Sequence, residues 1–231
     1  MIAIIGAMEI EIETILSKMS HVEEKVVCGV RLHKGQLAGK DVVVALCGIG
    51  KVNAAHATSI ILSAFDISCI INTGVAGGAD ANVDIGDVVV SSYFVQHDFN
   101  VHLEYAYGQV PGMESAYYSA NASLVNLAKA TCDKVLQESK AHVGRIATGD
   151  QFVNSKEAKE AIYKKFSPLC VEMEGAAIAH ICTLTDTPFV GIRAVSDKAD
   201  GTADEDFAAF ARKAANISAE IVMEMVPQID L

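Results

Sequence analysis

The chain has 231 residues, half of them hydrophobic and a fifth charged, with 29 acidic against 18 basic side chains and a net charge of −11. That length buries a core without a metal or disulfide staple, and the composition excludes a disordered or collagen-like chain. Four basic residues are arginine (Arg31, Arg145, Arg193, Arg212), and no cluster of Lys and Arg suits a duplex, so nucleic acid is excluded as a partner.

The first residues, MIAIIGAMEIEIE, carry no basic leader and meet glutamates at once, so no signal peptide is expected. No apolar run is long enough to span a membrane. IAIIGA predicts a buried strand, and residues 9–19 a helix with Ile12, Ile15, Leu16 and Met19 on one face. Strands follow near 24–29, 30–37 and 41–47, separated by Gly29 and by Ala38-Gly39-Lys40, which predicts hairpins. A helix is expected near 52–65, a strand at 69–73 and a long strand over 86–95. The stretch 98–119, rich in Gly, Tyr and His, suggests a loop or flap. Helices near 121–138, 155–165, 174–184 and 204–226 then alternate with strands near 141–148, 171–173 and in PFVGIRAVS. The pattern predicts an α/β fold: a single domain over 1–231, in three layers, with a mixed central sheet flanked by helices. Cys28, Cys47, Cys69, Cys132, Cys170 and Cys182 show no C-x-x-C and no zinc spacing. They are expected to be reduced, buried thiols of a cytoplasmic protein, with no metal.

Ligands of such sheets bind beyond the carboxyl ends of the strands. Gly48-Ile49-Gly50 lacks the third glycine of a dinucleotide fingerprint, because Asn53 stands there, and Gly74-Val75-Ala76-Gly77-Gly78 is followed by no Lys-Ser/Thr. No nucleotide cofactor is expected. The strand ends instead carry acids: Glu9 and Glu11, Glu172 and Glu174, and Asp197. Glu11, Glu174 and Asp197 are expected around one cleft with a single arginine, Arg193, which suits acid–base chemistry on a neutral, hydroxyl-rich or cationic substrate and repels phosphate. Glu9 and Glu174 are equally placed to complement helix N-termini, and Asp197 to cap one.

Taken together, IIGAMEIE (4–11), GIGKVNAA (48–55), INTGVAGG (71–78), TGDQFVN (148–154), VEMEGAAIAH (171–180) and PFVGIRAVSDKAD (188–200) resemble the 5′-methylthioadenosine/S-adenosylhomocysteine nucleosidases, within the nucleoside phosphorylase superfamily. The resemblance runs in family order along nearly the whole chain. It implies a nucleoside phosphorylase-like fold, no cofactor or metal, and a homodimer in which the His97-Asp98 and Tyr107–Gly112 segments approach the partner's site. It implies N-glycosidic hydrolysis of thioadenosines in methionine salvage, releasing adenine. Asp197 would protonate adenine N7, Glu11 would activate water, and Glu174 would bind the ribose hydroxyls. Phe152 would stack on adenine, with backbone bonds from Val153. Met8, Ile49, Ala76, Gly77, Glu172 and Met173 would line the pocket, Arg193 would hold Glu11 and the water, Ser196 would support Asp197, and Phe207 would close the thio end. The chain departs from the pattern at Val75 (Ser is usual), at Gln151, at Gly175 and in VHLEYA (101–106).

Two relatives of the reading use the same fold or residues: a phosphorylase, which needs cations around its anion, and an aminofutalosine hydrolase. A catalytically dead nucleoside-binding protein is the third alternative.

Overall fold

Two tight turns set the first half of the sheet. Cys28-Gly29 and Ala38-Gly39 all have positive φ (48°, 84°, 49° and 82°), the geometry of two-residue type I′ hairpins. They join β2 (Ser20–Val27) to β3 (Val30–Leu37) and β3 to β4 (Lys40–Leu46) in antiparallel register, Val27 opposite Val30 and Leu37 opposite Lys40. The expected hairpins form. Cys28 is exposed because it sits at such a turn, which corrects the expectation that all six cysteines are buried.

The computed structural model describes residues 1–101 and 104–230. β1 (Ile2–Gly6) and α1 (Glu9–Lys18) precede the hairpins; α2 (Lys51–Ala64), β5 (Cys69–Gly78) and β6 (Val88–Gln96) follow. Then come β7 (Tyr117–Ser119), α3 (Ala122–Val135), β8 (Ala141–Thr148), α4 (Lys156–Phe166), β9 (Cys170–Glu172), α5 (Gly175–Leu184), β10 (Phe189–Asp197), α6 (Ala203–Met225) and a short 3₁₀ turn. Three elements differ from expectation. β2 starts at Ser20 and stops at Val27, earlier than the expected 24–29, because Cys28-Gly29 form the turn. β5 continues through the glycine-rich 74–78 segment, paired to β10 and β9; its glycines are there for close approach, since a Cβ on Gly77 would lie 2.7 Å from Asp197 Oδ1. β7, inside the expected 98–119 loop, pairs with the end of β6. His102 and Leu103 of that loop, part of VHLEYA, lie outside the described residues.

β1 lies between β4 and β5, parallel to both. β5 is parallel to β10 and antiparallel to β9; β10 pairs β6, β6 pairs β8, and β8 pairs β9. These five strands therefore close into a hydrogen-bonded ring, from which β1, β4, β3 and β2 extend as a curled tail. One face of the sheet packs Ile4, Val44, Ile71 and Val190 with residues of α1, α3 and α6, among them Ile12, Leu124 and Ile221. The other packs Ile5, Val43 and Ile70 with Ala57 and Ile61 of α2 and Ile178 of α5. Gly175 belongs to this second layer: a side chain there would collide with the Phe94 ring, so its departure concerns packing rather than the substrate side. Among the described residues no helix is long and apolar enough to cross a membrane.

Candidate active site

At the mouth of the ring, the carboxyl ends of β5, β9 and β10 meet the starts of α1 and α5. A cleft opens there, lined by Met8, Glu11, Val75, Ala76, Gly77, Phe152, Val153, Glu172, Met173, Glu174, Ser196, Asp197 and Phe207, with Ile49 at its rim. All three expected carboxylates face it. Glu9 does not: its side chain is 75 % exposed, with the Arg31 guanidinium 3.7 Å away, and it complements the start of α1.

Glu11 is the third residue of α1 and reaches back over the helix start, as a capping glutamate does. Its Oε2 accepts the N–H groups of Ala7 (2.7 Å) and Met8 (2.9 Å), and its Oε1 that of Val75 (3.0 Å). The departure at Val75 thus leaves a backbone donor in place. Gly74 leaves room for this, since a Cβ there would lie 2.5 Å from Oε1. Burial raises the Glu11 pKa above the usual carboxylate range, against the lowering effects of Arg193 and the three N–H groups.

Glu174 stands at the head of α5, and its Oε1 accepts the Gly50 N–H at 2.6 Å. Gly50 presents that N–H from a positive φ of 97° at the head of α2. Burial, then the neighbouring Glu172, pushes the Glu174 pKa up to about 8. Arg193 is fully buried but lies behind the cleft. It donates to the carbonyl of Asn72 (3.1 Å), to the Asn72 side chain and to Glu172 Oε2 (2.7 Å). No hydrogen bond among the described residues joins it to Glu11. Its charge lowers the Glu11 pKa through space.

Asp197 ends β10. Its Oδ1 accepts the Ala199 N–H (2.9 Å) and its Oδ2 the Ser196 hydroxyl (2.8 Å). Burial raises its pKa; those two bonds oppose the rise, and Asp206 and Asp200 add to it. Phe152 is half exposed and meets Phe207 edge-on, ring centres 5.7 Å apart, across the mouth. Among the described residues neither the N–H nor the C=O of Val153 is hydrogen-bonded, so both remain free for a ligand edge. Gln151 also lines the cleft and turns its amide to His97 Nδ1 at 3.5 Å. His97 and Asp98 sit beside it: Asp98 accepts from Lys51 Nζ (2.6 Å) and from the Asp150 N–H (2.9 Å), tying β6 to α2 and to the loop after β8.

Sequence reasoning missed Asn72, Thr148 and the Gly50 N–H. Asn72 and Thr148 were visible as polar residues closing apolar strands (CIINT and RIAT), and each is buried on a partner that shapes the site.

The chain matches the model of the phosphorylase superfamily over residues 1–227. It is 44 % identical over 230 residues to a 5′-methylthioadenosine/S-adenosylhomocysteine nucleosidase of Geobacillus sp., covering 99 % of this chain and 98 % of that one. A nucleosidase of the same name from Neisseria meningitidis, solved with methylthio-immucillin-A, is 43 % identical and superposes with a TM-score of 0.95 over 99 % of both chains. Futalosine hydrolase of Helicobacter pylori is 36 % identical, with a TM-score of 0.93 over 99 % of this chain and 97 % of that one. Full-length identity, the shared fold and the acidic cleft agree: the chain belongs to the 5′-methylthioadenosine/S-adenosylhomocysteine nucleosidases of the phosphorylase superfamily.

Proposed function

We propose that the protein hydrolyses the N-glycosidic bond of 5′-methylthioadenosine and S-adenosylhomocysteine, releasing adenine with 5-methylthioribose or S-ribosylhomocysteine. One observation carries the choice of water over phosphate. The backbone N–H groups of Ala7, Met8, Val75 and Gly50 are already bonded to Glu11 and Glu174. Such donors cradle an anion in phosphate-using sites; here two carboxylates of the chain occupy them. A phosphate placed within about 4 Å of either would be repelled by several kcal/mol at an effective dielectric near 20.

In this reading the glycosidic bond breaks toward an oxocarbenium-like state. Asp197 gives its proton to adenine N7, so that the base leaves neutral. Glu11 takes a proton from the water that attacks C1′, and Glu174 holds the ribose hydroxyls beside the developing positive charge. Afterwards Glu11 carries a proton and Asp197 lacks one, and exchange with solvent restores both. Phe152 stacks on adenine, the free N–H and C=O of Val153 meet its edge, and Met8, Ile49, Ala76, Gly77 and Met173 shape the walls. Ser196 orients Asp197, and Phe207 covers the thio end. The 1–231 chain acts as one domain, in the cytoplasm, in methionine salvage.

The test is adenine release from 5′-methylthioadenosine in phosphate-free buffer. Free 5-methylthioribose should form, at a rate unchanged by millimolar phosphate. Accumulation of a ribose 1-phosphate, or a rate that climbs with phosphate, would make the protein a phosphorylase. Because futalosine hydrolase is so similar in structure, aminofutalosine belongs in the same assay; a much higher kcat/KM on it would reassign the substrate.

We also propose a symmetric homodimer, in which the loop 107–112 approaches the partner's cleft. Sedimentation should give twice the 24.5 kDa chain mass. A fully active monomer at assay concentration would count against it.

A further inference from the structure

At the back wall of the cleft, the Glu172 carboxylate receives four donors. The Thr148 hydroxyl reaches Oε1; the N–H groups of Glu174 (3.1 Å) and Gly175 (2.7 Å) and the Arg193 guanidinium (2.7 Å) reach Oε2. The Ala176 N–H donates to Thr148 Oγ1 at 2.8 Å, so one hydroxyl joins the head of α5 to the Glu172 carboxylate.

We propose that Thr148, at the end of β8, is a positioning residue for the hydrolysis: its hydroxyl holds the Glu172 carboxylate in its clamp with Arg193, and through Glu172 it fixes Met173 and Glu174 in the cleft. The proposal rests on the nucleosidase reading and adds to it a buried residue that does not line the cleft. Glu174 depends on the clamp directly, because its own N–H is one of the four donors. So does α5, whose first two N–H groups end on Glu172 and Thr148. On the other side Arg193 carries the link to Asn72, and the Asn72 amide donates to the Ile5 carbonyl in β1 (3.0 Å), shortly before Glu11. One buried chain of hydrogen bonds therefore runs from the head of α5 to the strand that delivers Glu11.

The charged and titratable groups around Glu172 and Glu174 are Arg193 from β10, Glu11 from α1, His97 after β6, Cys170 in β9 and Cys47 after β4. Among the described residues Arg193 is the one arginine or lysine buried among these acids. Removing the Thr148 hydroxyl leaves Oε1 without its donor. The Glu172 carboxylate is then free to turn, and the Met173-Glu174 segment shifts with it.

The experiment measures kcat and KM for adenine release from 5′-methylthioadenosine in wild type, Thr148→Val and Thr148→Ser, with melting temperatures alongside. Thr148→Val should lose about tenfold in kcat, with a smaller change in KM, because a small displacement of Glu174 acts on the reacting geometry. Thr148→Ser restores the hydroxyl and should bring kcat back to within a few-fold of wild type. A Val variant with wild-type kcat, or a Ser variant as slow as Val, overturns the proposal, whatever the melting temperatures. If Thr148→Val does not fold, Thr148→Cys keeps the volume with a weaker donor; wild-type kcat there overturns it equally. A wild type that releases no adenine sinks the nucleosidase reading and the proposal with it, a result distinct from an unchanged kcat in an active enzyme.

Discussion

If Asp197 is the proposed acid, Asp197→Asn should lower kcat by about 10²–10⁴-fold, the range of a lost general acid. Asn keeps the shape and can still accept the Ala199 N–H, so the fold should persist and the melting temperature should move little. What disappears is the proton. Burial together with Asp206 and Asp200 holds the Asp197 proton to a higher pH than an ordinary carboxyl would. Activity in the wild type should therefore fall on the alkaline side as Asp197 ionises. The residual activity of the Asn variant should lack that limb, and a variant within a few-fold of wild type would remove Asp197 from the role of acid.

Glu11→Gln should have a comparable effect for the opposite reason: it removes the proposed acceptor of the water proton, and hydrolysis should fall by about 10²–10⁴-fold. The change also has a structural cost. All three partners of the Glu11 carboxylate are backbone donors, so a Gln amide must point its NH₂ at one of them, a mismatch worth about 1–3 kcal/mol. The melting temperature should drop together with the activity, unlike Asp197→Asn. As the proposed base Glu11 must be ionised, and burial raises its pKa; the acid limb of wild-type kcat/KM should therefore lie above the usual carboxylate range. Retained hydrolysis in the Gln variant would show that another group activates the water.

Much of this was legible in the sequence because its elements are local. Helical spacing in EIEIETILSKM, the Gly-marked hairpins and the apolar strands before each acid predict elements that the structure contains. The acids of the cleft were legible as carboxylates at strand ends, but helix capping explained Glu174 and Asp197 equally well, and the motifs GAMEIE, VEME and RAVSD together tipped the reading toward a site. Closure of the ring was not legible. It depends on β9, three residues long, and on glycines of β5 that single-sequence reasoning takes for a loop, whereas close approach to Asp197 demands them. The place of Arg193 was equally hidden. Its motif puts it near the acids, but only the fold turns its guanidinium away from the cleft toward Asn72 and Glu172.

The closed ring also governs how the protein fails on heating. Each of its five strands has hydrogen-bonded partners on both sides over at least part of its length; among the described residues open edges remain at β7, at β2 and along residues 141–145 of β8, and β2 is exposed along nearly its whole length. Glu23, Glu24 and Lys25 on β2 discourage edge-to-edge addition of another chain. Amide hydrogens of β2 should exchange through local opening, and those of β5 and β10 through global unfolding. Activity is thereby coupled to the cooperative transition itself, and its thermal loss should coincide with the loss of secondary structure rather than precede it.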